Sequence, residues 1–225
     1  MGPEDLFGKR KPRTGADLGR RKGVREKKKR YLIVCEGTKT EPYYLRELLD
    51  DLSINPKMVR IAPNDGVSPD RVVAHALAVY EDDASSGDSY DMVYCVFDRD
   101  AHATFDSAVQ RTKDLSAAGK SFTAITSTPC FEFWLLLHFG YSDQPFHAAG
   151  KKSVGDQVVS VLRKKPGFEK YGKGQQGIYG QLKDKLYNAI SYAERLRVDG
   201  LAAGIVNPST NVDELIKSIQ ALASK

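Results

Sequence analysis

The hydrophobic and polar positions of residues 31–126 alternate between two periods. Runs of β-branched and aromatic residues bounded by turn signals predict four buried strands, at 31–35, 58–62, 91–97 and 122–126. Apolar residues at helical spacing predict the intervening helices, at 42–51, 69–82 and 103–117. Strands that alternate with helices through short connections are typical of an open sheet with helices on both faces. The predicted fold class is therefore α/β, with a mainly parallel sheet.

After Pro129 the pattern changes, and helical spacing prevails. Helices are predicted at 131–139, 154–164, 178–198 and 211–223. The Gly- and Lys-rich segment 165–180 is predicted to be a loop over a site or a linker. Residues 207–210, Asn-Pro-Ser-Thr, are predicted to end one segment and to cap the last helix. The predicted organisation is an α/β core at 31–128 and a helical extension at 129–225 that packs on it.

Charge sets the beginning of the chain apart from the rest. Residues 1–30 contain 12 Lys and Arg against 4 Asp and Glu, whereas the remaining residues contain 22 and 25. Because almost no apolar residue lies between these charges, segment 1–30 is predicted to be a disordered basic arm. Such an arm is either a tether to nucleic-acid phosphates or a solubilising tail.

Composition narrows the compartment in which the protein is expected to work. The 225 residues, 41% of them hydrophobic, suit one medium-sized soluble domain. No apolar run reaches the roughly 20 residues that a membrane helix needs, and no secretory signal is visible near the N-terminus. The three cysteines stand singly within apolar runs, which is typical of reduced core thiols and excludes a CxxC zinc motif. A cytoplasmic protein without a membrane segment is therefore expected.

Acidic residues follow the two most convincing predicted strands. Glu36 and Glu41 come after the first strand, and Asp98 and Asp100 come after the third. Ligands of open α/β sheets bind at the carboxyl ends of strands, near the point where the winding reverses, so the two pairs are expected to meet there. Converging carboxylates require a cation, and hard oxygen ligands select Mg²⁺ or Mn²⁺. The alternative is that these acids cap neighbouring helices or complement their dipoles.

Five further residues are candidates for the same site. Gly37 lets the chain turn sharply and keeps space open for substrate. Glu132 is either a further ligand or substrate-positioning acid, or a first-turn acid favoured by its helix dipole. Lys39 and Arg99 either stabilise charge on a phosphoryl group or pair with a neighbouring carboxylate. His102 either contacts phosphate or carries a proton, or lies at the surface as a helix cap.

Several motifs together carry a resemblance to a known family. They read LIVCEGTKTEPYY at 32–44, YCVFDRDAH at 94–102 and STPCFEFWLLLHF at 127–139, and NPSTNV at 207–212 agrees with them. This combination resembles the RloB-like family over roughly residues 28–223. The Glu-Gly turn after the first strand and the DxD after the third resemble the TOPRIM domain. RloB-like proteins are themselves similar to the TOPRIM part of OLD-family nucleases.

The resemblance implies a TOPRIM-like core and a metal-dependent nuclease that hydrolyses phosphodiester bonds of DNA or RNA. In such a site Glu41, Asp98 and Asp100 hold one or two Mg²⁺ or Mn²⁺ ions, and Glu36 is a ligand or the base that deprotonates water. RloB-like proteins are associated with restriction or anti-phage loci, often beside an ABC-type ATPase gene. The expected partners are therefore nucleic acid and an ABC-type or AAA ATPase, and a homo-oligomer is compatible with them.

Other functions are compatible with parts of this pattern. The first alternative is a non-catalytic nucleic-acid-binding or regulatory subunit whose acids bind metal without cleavage. Strand rejoining of the topoisomerase kind would require a tyrosine nucleophile supplied from elsewhere. A phosphatase that uses Asp98 as a phosphorylated nucleophile would leave Glu36 and Glu41 without a role.

Overall fold

The computed structural model describes residues 28–62, 68–99 and 102–223. Five strands are present in these ranges: β1 (Tyr31–Cys35), β2 (Val59–Ala62), β3 (Met92–Asp98), β4 (Phe122–Thr128) and β5 (Ser209–Thr210). The α-helices in the same ranges are α1 (Thr40–Asp51), α2 (Pro69–Ser85), α3 (Phe105–Ala117), α4 (Glu132–Leu137), α5 (Val154–Leu162), α6 (Ile178–Leu182), α7 (Leu186–Ala203) and α8 (Val212–Ala223). None of the helices in these ranges is long and apolar enough to cross a bilayer.

The strands form one sheet in the order β2-β1-β3-β4-β5. The first four strands run parallel to one another, and β5 pairs antiparallel with β4. β1 and β3 are direct neighbours, with Cys35 opposite Val96. This order confirms the predicted α/β class and brings the carboxyl ends of the two acid-bearing strands side by side.

Alternate residues of β1 face two separate cores. Ile33 and Cys35 belong to the core that contains α1 and the C-terminal helices. Leu32 and Val34 belong to the core beneath α2 and α3. Because both faces of the sheet are covered, β1 is buried at all five positions instead of alternating between apolar and polar residues. The predicted helices on both faces are therefore present.

The helix predicted at 178–198 is interrupted. It consists of α6, a 3₁₀ turn at Lys183–Lys185, and α7, which continues to Ala203. The Tyr179 hydroxyl and the Lys183 Nζ both donate to the carboxylate of Asp51 in α1, at 3.0 and 2.8 Å. These bonds tie α6 to α1, whereas α7 packs against α4. The prediction of one continuous helix was wrong because the segment follows two different neighbours.

The segment predicted to cap the last helix also adds an unpredicted strand. Ser209 and Thr210 pair with the end of β4, and Thr210 Oγ1 also accepts a backbone N–H at the start of α8, at 3.3 Å. Just beyond, the fully buried Asp213 carboxylate accepts from Arg197 Nη2 at 2.8 Å and from Lys217 Nζ at 3.2 Å. This ion-pair group joins α7 to α8 and supports the added strand.

Most of the predicted basic arm, residues 1–27, lies outside the described residues. Arg30, which the charge pattern assigned to the arm, contacts the folded body. Its backbone N–H donates to Asp91 Oδ2 at 2.7 Å, and its guanidinium lies over the Tyr90 ring, 4.8 Å from the centroid. Arg30 Nη1 is also 3.3 Å from Asp88. These contacts make Arg30 part of the body.

Candidate active site

An acidic cavity of about 290 Å³ lies at the carboxyl ends of β1 and β3. Its walls come from the turn after β1, the start of α1, the start of α4 and the loop before α6. The acidic side chains that line it are Glu36, Glu41, Asp98 and Glu132. Three of the four motif acids and the separately predicted Glu132 therefore share one cavity. The fourth motif acid, Asp100, lies outside the described residues.

Glu36 bridges the two strand ends. Its backbone N–H donates to the carbonyl of Val96 at 2.8 Å, which continues the pairing of β1 with β3. Its side-chain Oε2 accepts the backbone N–H of Asp98 at 2.9 Å. Its Oε1 lies 3.1 Å from Nε2 of His102. His102 therefore contacts the carboxylate group of the site, and it is not one of the residues that line the cavity.

Glu41 lies in the first turn of α1 and is only 6% exposed. Burial raises the pKa of Glu41 from its ordinary 4.5 to about 7, and the carboxylates of Glu132 and Glu36 contribute to the increase. A Cβ placed on Gly37 would collide with the Glu41 carboxylate. The small residue is therefore required for the approach of Glu41. The backbone at Gly37 does not have a positive φ. The space beside Gly37, which was predicted to stay open for substrate, is filled by the Glu41 carboxylate.

Asp98 ends β3 in the middle of the acidic group. The backbone N–H of Phe131, just before α4, donates to its carboxylate. Burial raises the pKa of Asp98 well above its ordinary range, and the carboxylates of Glu41, Glu132 and Glu36 raise it further. Repulsion of this kind disfavours the ionised form, so a bound cation would stabilise the deprotonated cluster.

Glu132 begins α4 and is almost completely buried, at 2% exposure. Its Oε1 accepts the hydroxyl of Tyr171 at 3.3 Å, and its Oε2 is 3.4 Å from Nζ of Lys173. Burial alone would lower the pKa of Lys173, but the attraction of Glu132, with a smaller contribution from Asp98 and the hydrogen bond to Glu132, outweighs that effect, and the pKa of Lys173 is raised. Lys173 is therefore held as a cation at the edge of the acidic cavity.

The segment that carries Lys173, residues 172–177, is fastened over the N-terminus of α1. The backbone N–H of Gly174 donates to Thr40 Oγ1 at 2.9 Å. Gly174 has a φ of +77° and packs so closely on Lys39 that a Cβ would lie 2.9 Å from its side chain. Further along, the backbone N–H of Tyr179 donates to Glu47 Oε2 at 3.0 Å. The predicted loop over the site is therefore present. The position of Lys173 against Glu132 was not predicted, and the closely spaced glycines around it were the available signal in the sequence.

Comparison with protein families agrees with these motifs. A family model described as RloB-like protein matches residues 31–219. The chain belongs to the RloB-like family. Among curated proteins and among solved structures, nothing matches the chain significantly. The match to the RloB-like model includes every residue that lines the acidic cavity.

In this RloB-like protein the predicted substrate-binding residues do not all converge. Lys39 lines the acidic cavity. Arg99 follows Asp98 directly, and consecutive side chains of an extended segment leave on opposite sides. The Arg99 guanidinium accordingly lies over the Phe105 ring, 5.1 Å from the centroid, and Nη2 is 3.8 Å from Asp106. Arg99 is therefore directed away from the acids, and the structure does not bring it into their cavity.

The acidic cavity of the RloB-like protein has the donor chemistry that a hard divalent cation requires. Carboxylates dominate it, and the pKa of Asp98 and of Glu41 is raised by burial and by the other carboxylates. Mg²⁺ and Mn²⁺ prefer such oxygen ligands. In the part of the chain that the structure describes, no group of three or more His, Cys, Asp or Glu side chains is already arranged to hold an ion. The donor types fit Mg²⁺ or Mn²⁺.

Proposed function

We propose that this protein is a metal-dependent nuclease that hydrolyses phosphodiester bonds of DNA or RNA. The observation that carries the proposal is the acidic cavity, in which carboxylates from two adjacent parallel strands and two helices meet beside a lysine. The pKa values of Glu41 and Asp98 are raised by burial and by neighbouring carboxylates. Carboxylates with raised pKa values are common at functional sites. The Glu-Gly turn after β1 and the acid after β3 resemble the TOPRIM pattern, and this resemblance also supports the proposal.

The motif acids have separate roles in this proposal. Asp98 and Glu41, together with Asp100, would hold Mg²⁺ or Mn²⁺, which supplies an activated water and charge stabilisation at the leaving oxygen. Glu36 would be a further ligand or would accept the proton of the attacking water. Its bonds to the Asp98 backbone and to His102 hold the carboxylate in a fixed position for either role.

The cationic residues of the cavity would bind the substrate phosphate. Lys173 faces the acids and Lys39 lines the same cavity, so both can approach a phosphoryl group held there. Glu132 and Tyr171 would act on Lys173, because one Glu132 carboxylate contacts both side chains. We expect Glu132 to position Lys173. In that role Glu132 lies beside the metal ligands but is not itself a ligand.

Family membership motivates the biological part of the proposal. We propose that the nuclease is the effector of an anti-phage or restriction-associated system and works with an ABC-type or AAA ATPase. The alternative is a non-catalytic nucleic-acid-binding or regulatory subunit of such a complex. One observation agrees with this alternative: the Lys173 ammonium against Glu132 neutralises part of the acidic charge without a metal.

Cleavage assays separate these functions. Purified protein, alone and with a candidate ATPase, is incubated with plasmid DNA and with total RNA in Mg²⁺, in Mn²⁺ and in EDTA. We expect cleavage that needs the metal and is lost in a Glu36→Gln, Asp98→Asn double variant. Full cutting by the double variant would refute a nuclease site in this cavity. Binding without cutting under every condition would support the regulatory subunit.

A further inference from the structure

Two more cavities lie along β4 and at its carboxyl end. One has a volume of about 330 Å³ and the other about 440 Å³. Both are lined by Arg99, Thr128 and Val206, so they join at these residues. Together they form one depression, here called the β4 cleft. Arg99 of the cleft directly follows Asp98 of the acidic cavity in the chain, so neighbouring residues line the two sites.

The walls of the smaller cavity are joined by a reciprocal pair of hydrogen bonds. Asn207 Nδ2 donates to the carbonyl of Phe146 at 2.8 Å, and the Phe146 backbone N–H donates to Asn207 Oδ1 at 3.3 Å. The Phe146 ring packs edge-on against Phe133, with 6.1 Å between centroids. The Asn207 motif therefore has a structural role beyond helix capping: it holds an aromatic side chain at a preformed cavity.

The larger cavity runs along the outer edge of β4, and a peptide strand is an unsuitable occupant for it. Asn211 already satisfies this edge, because its Oδ1 accepts the Thr126 N–H at 2.6 Å and its Nδ2 donates to the Ala124 carbonyl at 3.1 Å. The final residues of β4 pair with β5. Addition of another strand would have to displace these bonds.

The charge of the β4 cleft is opposite to that of the acidic cavity. Its charged or titratable lining residues are Arg99, Lys113 and His147, and no carboxylate is among the described residues that line it. The ion pair of Arg99 with Asp106 is long, at 3.8 Å, and the Asp106 side chain is 84% exposed. Such an exposed pair contributes little, so the guanidinium can exchange it for a phosphate.

We propose that the β4 cleft binds an unpaired nucleotide next to the phosphodiester held in the acidic cavity. Arg99 contacts the flanking phosphate, and the base lies against the apolar wall formed by Phe146 and Val206. Mixed cationic and aromatic clefts bind single strands in this way, whereas a paired base cannot leave its duplex to enter a cavity without a cost. The inference rests on the proposed nuclease function and specifies its substrate as single-stranded nucleic acid.

Binding assays with Val206→Glu and Val198→Glu test this inference. Val206 lines the cleft and is 57% exposed, whereas Val198 lies on α7 outside it and is 67% exposed. Both substitutions add one negative charge at an exposed valine. Fluorescence anisotropy of the full chain is measured in Ca²⁺ and at high salt, which weakens non-specific phosphate contacts. The ligands are a labelled single-stranded DNA, the matching RNA and the corresponding duplex.

We expect the wild type to bind at least one of the single strands more tightly than the duplex. V206E should lose at least about tenfold in that affinity, a change equivalent to one stacked base, while V198E should bind as the wild type does. Equal affinity for single strand and duplex, or equal affinity of V206E and V198E, overturns the inference. If wild type still cuts nucleic acid in Mg²⁺ in that case, the proposed function stands. If it neither binds nor cuts any of the ligands, both proposals fall.

Discussion

The backbone N–H of Asp98 donates to Oε2 of Glu36 across the β1–β3 pair, at 2.9 Å. The two residues are 62 positions apart, and parallel pairing brings their strand ends together. One motif therefore orients the other: the backbone of the second acid holds the side chain of the first. Both carboxylate oxygens of Glu36 are held, one by the Asp98 backbone and the other by His102, so we expect the position of Glu36 to change little when an ion binds.

Asp98→Asn should abolish most cleavage without weakening the fold. The substitution removes the charge that attracts the cation, so the rate should fall at least about a hundredfold. It also removes a carboxylate whose pKa is raised by burial and by neighbouring acids, so the melting temperature in EDTA should be equal or higher. Cleavage rate and melting temperature are measured on the same preparation.

The matched control is Asp106→Asn, in the first turn of α3 and outside the acidic cavity. It should retain cleavage. If Asp98 were only a helix cap, D98N would lose about 1 kcal/mol of folding stability, would melt at a lower temperature and would still cut. That pair of results would contradict the role proposed for Asp98.

The stability of the metal-free protein should depend on Glu41 in a definite direction. Its folded pKa of about 7 lies above the ordinary 4.5. Below pH 4.5 both states are protonated, whereas between 4.5 and 7 only the unfolded state loses the proton, so folded stability falls as pH rises. Glu41→Gln removes this loss. It should therefore be more stable than wild type at and above pH 7, by about 3 kcal/mol, and similar near pH 4.

Urea denaturation in EDTA at several pH values measures the Glu41 effect. Asp184→Asn, which removes an exposed acid from the turn before α7, should show no such pH-dependent gain. Added Mg²⁺ should stabilise wild type at pH 7 more than it stabilises E41Q. A difference between E41Q and wild type that is constant from pH 4 to pH 8 would contradict the assigned titration.

Lys173→Ala should reduce cleavage much more than Lys170→Ala. Lys173 lies against Glu132 at the acidic cavity, whereas Lys170 is exposed and outside it. Loss of a cation that stabilises phosphoryl charge lowers kcat by about a hundredfold in comparable sites. Single-turnover rates at saturating substrate separate this effect from weaker binding. Equal rates for the two variants would show that Lys173 only neutralises Glu132.

Gly174→Ala tests whether the loop over the site is held by its backbone conformation. A side chain at φ +77° is strained, and the new Cβ would press on Lys39. We expect a loss of about 1 kcal/mol or more and reduced cleavage. Gly172→Ala is the control, because its φ is not left-handed and no atom would meet the added Cβ. Similar melting and cleavage for both variants would show that the loop tolerates the change.

Deletion of residues 1–27 tests the basic arm while retaining the contacts of Arg30. The deleted segment carries 9 Lys and Arg against 4 Asp and Glu. For every phosphate that the arm no longer neutralises, the slope of log affinity against log salt should become shallower by about 0.7–0.9. Titrations at several salt concentrations give this slope. An unchanged slope would leave only the solubilising role.

The central part of the site could be predicted from local sequence. The apolar runs of β1 and β3 are unambiguous because both faces of these strands are buried, and the acids follow directly where each run ends. Parallel pairing through helical crossovers then leaves few arrangements, all of which bring the carboxyl ends of neighbouring strands to one edge. The meeting of Glu36 with Asp98 therefore followed from periodicity and strand order.

Tertiary structure alone decided which other residues reach that edge. Lys173 comes to the acids because Gly174 bonds to Thr40, 134 positions away, and no local pattern encodes such a bond. Arg99 turns from the acids into the β4 cleft because the extended chain alternates its side chains. β5, only two residues long, exists because it pairs with β4. Hydrophobic periodicity records which side of an element is buried, whereas the conformation of loops and short strands depends on contacts that form only after the core has assembled.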